Sequence, residues 1–178
     1  MRNRRTDAKG YTFTLAPADD LLVKEVLTDT EHKVGDMVSM FRTIVLAEPT
    51  SAHQILKALH DAGHIVGPVA THNFDRLFAR AGLEEAFMRR CDQRTPHMPF
   101  PDGAKAILVI GNHADRRRVQ ARARERGLKI FFLDTEGLTE NGVYKPYLIE
   151  GAREGDIVVR SEAIRALNKL AELLGVNL

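Results

Sequence analysis

The sequence predicts an α/β layer fold with a mostly parallel sheet. Two runs, Ala104–Ile110 (AKAILVI) and Leu128–Leu133 (LKIFFL), are almost wholly apolar. Strands covered on both faces read this way, whereas a strand with one wet face alternates. From residue 49 onward such runs alternate with segments of helical spacing, the order expected of parallel strands joined by crossovers. At 178 residues, 44% hydrophobic and 28% charged, the chain can bury one ordinary core without staples.

Residues 1–10 (MRNRRTDAKG) are basic and polar and are expected to form a disordered leader, with residues 11–178 as a single domain. Tyr11–Leu15 alternates like a strand. Met37–Leu46 is apolar enough for a buried helix or a strand, and periodicity does not separate the two. Thr50 is expected to cap a helix with Ala52, Ile55, Leu56 and Leu59 on one face and Gly63 as its stop. His64–Ala70 reads as a short strand weakened by Pro68, and Asn73–Ala81 as the next helix. Residues 91–103 hold three prolines and form a loop. After the strand ending at Ile110, Gly111-Asn112-His113 leads into a helix to about Arg126, which Gly127 ends. Tyr144–Ile149 is a candidate short strand and Asp156–Arg160 a further strand. Ser161 is expected to cap a last helix with Ile164, Leu167, Ala171 and Leu174 on one face.

Charge and composition exclude several function classes. Lys+Arg 26 against Asp+Glu 24 gives +2, too little excess for bulk binding to a phosphate backbone. Aromatics are 6% with no Trp, so a base-stacking surface is poorly supplied. Nucleic acid is therefore not an expected partner. No run approaches the ~18 apolar residues of a membrane span, and the basic start lacks the apolar stretch of a secretory signal. Cys91 is the one cysteine, which precludes an intrachain disulfide and a multi-cysteine zinc site. No metal-ligand spacing is present, so no metal is expected, and the chain reads as one of a reducing cytoplasm.

Ligands of open α/β sheets bind beyond the carboxyl ends of the strands. Two such ends carry polar residues. The first is Thr71-His72-Asn73-Phe74-Asp75, and the second is Gly111-Asn112-His113. Gly111 lets a backbone approach a phosphate, and a helix beginning there would add free N–H groups; an ordinary structural turn fits the same residues. Asn73 and Asp75 either orient a polar ligand or cap the following helix. His72 and His113 are candidate acids or bases, because imidazole titrates near neutrality, or else surface and capping groups. His53 reads as a structural hydrogen-bonding group. The arginines at 116, 117, 118, 122, 124 and 126 spread around their helix as a solvated face, or one of the first three reaches a diphosphate.

Several of these segments together resemble the sirtuin family of NAD-dependent protein deacylases. Glu48-Pro49-Thr50-Ser51-Ala52-His53 resembles the family's Pro-Asn-x-x-His segment. Thr71 to Leu77, through Ala81-Gly82, resembles its Thr-Gln-Asn-Ile-Asp-x-Leu motif and the following Ala-Gly. Leu108 to His113 resembles the strand ending in Gly-Thr-Ser, Leu128 to Asp134 the strand carrying a late Asn, and Asp156 to Ala163 the closing strand and turn. The resemblance implies a Rossmann-like three-layer fold with helices on both faces of the sheet. It implies NAD or ADP-ribose as ligand, with Asn73 and Asp75 at the nicotinamide end, Gly111 and Asn112 at the phosphates, and Thr71 among the cofactor-binding residues. The departures are specific. Residues 1–40 contain no Gly-Ala-Gly-x-Ser, residues 83–92 contain no His where the family keeps its base, and the four-cysteine zinc module has no counterpart.

These readings leave three functions open. One is a nucleotide-binding domain with altered deacylase machinery and no zinc. Another is an NAD-consuming enzyme (deacylation, ADP-ribosyl transfer or glycohydrolysis) using His72 or His113. The third is a non-catalytic scaffold that binds a protein partner or a second copy of itself.

Overall fold

The computed structural model describes residues 4–6, 12–14, 30–71, 73, 75–87, 99–112, 118–135, 138–140, 143–145 and 153–178. The chain divides into two compact units, residues 1–47 and 48–178.

In the first unit β1 (Arg4–Thr6) pairs antiparallel with β2 (Thr12–Thr14), Arg5 facing Phe13. A strand therefore lies inside the segment expected to be a disordered leader. The ambiguous apolar run belongs to a helix, α1 (Thr30–Leu46). Val38, Phe41, Val45 and Leu46 on it are exposed.

The second unit begins its first helix, α2 (Ser51–Asp61), at the expected Thr50 N-cap. The chain leaves it through Gly63, whose φ of +76° suits a residue without a Cβ. The strand that follows is shorter than expected: β3 is Val69–Thr71. Gly67 adopts φ +78° and Pro68 has no N–H to give a ladder, so residues 64–68 cannot extend it. Next come α3 (Leu77–Arg80) and β4 (Glu85–Phe87), the latter parallel to β3 with Val69 opposite Glu85. The helix expected from Asn73 starts only at Leu77 because Asn73 and Asp75 belong to the turn before it.

Both apolar runs are strands. β5 (Ala106–Ile110), β6 (Lys129–Asp134) and β9 (Ile157–Arg160) form a parallel sheet in the order β5-β6-β9. Between them lie α4 (Val119–Glu125) and a hairpin of β7 (Leu138–Glu140) with β8 (Val143–Lys145). The last helix is α5 (Ala163–Leu173), whose N-cap is Glu162 and not Ser161. The Ser161 N–H instead donates to the Asp134 carbonyl at 3.1 Å, which ties the end of β9 to the end of β6.

Strand alternation divides the core by face. Leu108, Ile110 and Leu133 point one way and pack with Ile55, Leu56 and Leu59 of α2 and Leu167 and Ala171 of α5. Val69, Phe78 and Leu83 join the same cluster, so β3 and α3 share this core. Ile107, Val109, Ile130, Phe132 and Val158 form a second cluster on the other face. Leu167 and Ala171 are buried as expected, but Ile164 and Leu174 at the flanks of α5 are exposed. The architecture is the expected α/β one, with helices packed on a parallel sheet.

The arginine run is not simply a solvated face. Arg124 and Asp156 are each only 3% exposed and form an ion pair at 2.8 Å. Asp156 also accepts the N–H groups of Ile130 at 2.8 Å and Arg153 at 2.9 Å. One carboxylate thus joins α4, the start of β6 and the turn before β9, at the amino-terminal edge of the sheet. Arg118 is the exposed kind, paired with Glu125 at 2.8 Å.

Candidate functional site

The turn after β3 is built from its own polar side chains. Thr71 is buried, and its Oγ1 accepts the Asn73 N–H at 3.0 Å. Asp75 Oδ1 accepts the Leu77 N–H at 3.1 Å, capping α3. The capping alternative for Asp75 is therefore realised, and it fixes the carboxylate at the mouth of the turn. Between Asp75 and α3 stands Arg76 with φ +58°, a left-handed backbone that costs a residue with a Cβ of order 1 kcal/mol.

Glu85 packs against this turn from behind. Its side chain is 1% exposed, with Oε1 3.3 Å from Arg76 Nε and Oε2 accepting the Ala79 N–H at 3.2 Å. Neither Arg76 nor Glu85 is marked by any motif in the sequence, where both read as surface charges.

The amino-terminal end of α2 reaches the same region. Thr50 donates its N–H to His53 Nδ1 at 3.1 Å, and Thr50 Oγ1 lies 2.8 Å from that nitrogen. The imidazole stands 4.7 Å from the Phe78 ring of α3. Burial holds the His53 pKa below its ordinary value, against the opposing pull of the Asp75 carboxylate. His53 has the hydrogen-bonding role expected of it and links α2, α3 and the Asp75 turn.

The second turn follows β5. Gly111 has φ +58°, and a Cβ built there would meet nothing within 4 Å among the described residues. Its N–H donates to the Leu133 carbonyl at 2.9 Å. Gly111, Asp134 and Ser161 therefore lie along one rim, where the carboxyl ends of β5, β6 and β9 are stitched together. Among the described residues nothing covers the backbone face at Gly111, which suits close approach by a ligand. Asn112 is half-buried beside it. The described part of the expected helix is α4, from Val119, and residues 113–117 lie outside the described residues. Asp134 is also buried on this rim, at the end of the central strand. Its only sequence signal is an acid closing the apolar run KIFFLD.

The structure thus sets Thr71, Asn73 and Asp75 in one turn and Gly111 and Asn112 in another, each beyond the carboxyl end of its strand. His72 and His113, the candidate acids or bases, lie outside the described residues, as do Phe74, Cys91, Arg116 and Arg117. Among the described residues no three His, Cys, Asp or Glu side chains gather as metal ligands, and no helix is long and apolar enough to cross a membrane.

No protein-family description matches this chain, and no curated protein matches it in sequence. Solved structures do match in fold. A complex of Sir2, p53 peptide and NAD+ superposes with a TM-score of 0.61 at 15% identity, covering 92% of this chain and 86% of that one. A Sir2 homologue–NAD complex gives 0.58 at 16% identity over 85% of this chain and 75% of the other. A Sir2 homologue with ADP-ribose gives 0.57 at 16% identity, covering 87% and 80%. The chain therefore has the Rossmann-like fold of the Sir2 structures, carried by a sequence that shares few residues with theirs.

Proposed function

We propose that this chain is a sirtuin-like domain that binds NAD or ADP-ribose and has altered deacylase machinery. The observation that carries the reading is the coincidence of fold and turns. The polar turn after β3 and the glycine after β5 each follow the carboxyl end of a strand, the kind of position at which open α/β sheets take ligands, and neighbours of the same fold are complexes with NAD or ADP-ribose.

In this reading Thr71, Asn73 and Asp75 hold the nicotinamide end. Gly111 offers its bare backbone face to the phosphates, with Asn112 beside it. The residues present fit such a ligand, since no described residue fills the space a Cβ would take at Gly111 and Thr71, Asn73 and Asp75 are already organised by their own hydrogen bonds. Bound NAD would bring a glycosidic bond with nicotinamide as its leaving group. This chain's part is to orient that end through Asn73 and Asp75. His72 and His113 are the acid–base groups the reading assigns, by their positions beside Asn73 and Asn112 in the sequence.

Three features of the sequence carry the altered machinery. The Gly-Ala-Gly-x-Ser segment is missing from residues 1–40, no His stands in residues 83–92, and Cys91 alone cannot form a four-cysteine zinc module. Residues 11–178 act as one such domain, which the coverage of 92% supports because it extends past residues 48–178. We place the protein in the cytoplasm, with a nucleotide as its ligand.

Calorimetric titration with NAD, ADP-ribose and AMP tests the reading. Saturable binding of NAD or ADP-ribose at one site is expected. No heat or thermal shift with any of the three at millimolar concentration overturns it. Loss of acid–base chemistry is tested separately: if NAD is consumed, His72→Ala is expected to abolish turnover, and full retained turnover removes His72 from the scheme.

A further inference from the structure

We propose that Glu85 is a positioning residue, which acts through Arg76 to hold the turn carrying Asn73 and Asp75 in its binding geometry. The inference rests on the nucleotide reading above for its consequence in affinity, but the geometry that motivates it is independent of any ligand.

Three observations converge on the pair. A carboxylate that is 99% removed from solvent is costly unless its charge is answered, and the cation 3.3 Å from Oε1 is Arg76. Arg76 itself is 67% exposed, so burial does not hold it in place. Its backbone is left-handed at φ +58°, ψ +22°, a conformation that persists in a residue with a Cβ only where the surroundings enforce it. Glu85 supplies that enforcement. Oε2 takes the Ala79 N–H at 3.2 Å, while Oε1 makes no hydrogen bond to a described group and meets Arg76 Nε only as an ion pair at 3.3 Å, so one buried carboxylate bears on both ends of the short segment from Arg76 to Ala79. The segment leads directly out of the turn in which Thr71 holds Asn73 and Asp75 holds Leu77. If Arg76 relaxes to a right-handed backbone, the chain direction changes immediately after Asp75, and Asp75 loses the Leu77 N–H that it caps.

Glu85 is itself anchored. It opens β4 opposite Val69 of β3, and the Val69 N–H donates to the Glu84 carbonyl at 2.8 Å. The carboxylate therefore transmits the position of the sheet to the turn, and the turn is the part expected to meet the nicotinamide end of the ligand. A ligand fragment without that end does not report on it.

The test compares wild type with Glu85→Gln, Arg76→Gln and Arg76→Lys, reading two quantities. The first is amide hydrogen exchange at Asn73 and Leu77, whose N–H groups the side chains of the turn hold, and it needs no ligand. Glu85→Gln and Arg76→Gln are expected to speed it about tenfold, while exchange at Ile130 and Leu133 stays as in wild type. The second is the ratio of NAD to AMP affinity, expected to fall about tenfold in both Gln variants through loss on the NAD side alone. Arg76→Lys keeps the cation and is expected to restore most of both. Arg76→Gln alters an exposed side chain, so it decides the matter even where Glu85→Gln folds poorly. Unchanged exchange at the turn overturns the proposal, as does a parallel loss of NAD and AMP affinity, which marks a merely structural role. Should wild type bind neither nucleotide, the nucleotide reading fails by itself, and the exchange rates still decide whether Glu85 holds the turn.

Discussion

Replacing Asp156 by Asn should be one of the most damaging isosteric changes available to this chain. The carboxylate faces a guanidinium that is 3% exposed, at 2.8 Å, and accepts two backbone N–H groups from Ile130 and Arg153. Asn keeps the volume and one acceptor oxygen, but it loses the charge opposite Arg124 and turns an acceptor into a donor facing a donor. Removing one partner of a buried pair costs about 3 kcal/mol or more, because the other charge stays buried. For a chain of this length that corresponds to a fall in melting temperature of roughly 6–12 °C. The assay is urea unfolding with thermal unfolding beside it, at pH 7 and again at pH 3. In the folded protein burial pushes the Asp156 pKa up, but the N–H groups of Arg153 and Ile130 and the Arg124 cation outweigh it and leave the pKa below its ordinary value. A depressed carboxylate stabilises fully above its unfolded pKa and loses that contribution as pH falls through the folded one. The gap between wild type and Asp156→Asn should therefore be widest at pH 7 and narrow in acid. A gap under about 0.5 kcal/mol at pH 7, within the range of ordinary surface changes, refutes the reasoning, as does a gap that widens on acidification.

Two other predictions concern stability. His53→Ala removes the acceptor for the Thr50 N–H and should cost about 1 kcal/mol, as loss of a helix cap does. Because the folded pKa lies below 6.5, the contribution is complete above that value and is lost as pH falls through the folded pKa; unfolding at pH 8 and pH 5 checks this, and a cost that grows in acid contradicts it. Gly67→Ala places a Cβ into the Pro101 side chain at a residue with φ +78° and should cost about 1–3 kcal/mol; a urea midpoint equal to that of wild type shows that the 64–68 segment repacks freely.

The fold was legible where burial leaves a compositional trace. LKIFFL and AILVI could not be half-wet strands, and the stops at Gly63 and Gly127 follow from their missing Cβ, with φ of +76° and +73°. Boundaries were less legible where a tertiary contact decides them. The strand expected from His64 begins only at Val69, because Gly67 packs on Pro101, a partner more than thirty residues away. Ser161 reads as a cap, yet its N–H serves the Asp134 carbonyl across the sheet. Of the candidate residues, Thr71, Asn73, Asp75, Gly111 and Asn112 could be singled out because they stand at strand ends, although turn-building and capping use the same residue types. Glu85, Arg76, Arg124 and Asp156 were not. Nothing in a single sequence distinguishes a charge that folds inward onto a distant partner from one left in water, and each of these depends on a pairing that only the tertiary structure creates.

If the carboxyl ends of β3 and β5 receive a nucleotide, amide chemical shifts followed during titration with ADP-ribose and with NAD will move most at Thr71, Asn73 and Asp75 and at Gly111 and Asn112, with the Asn73 and Asp75 shifts stronger for NAD. Shifts confined to the opposite edge of the sheet, around Lys129 and Arg153 to Asp156, or no shifts at saturating nucleotide, would contradict it.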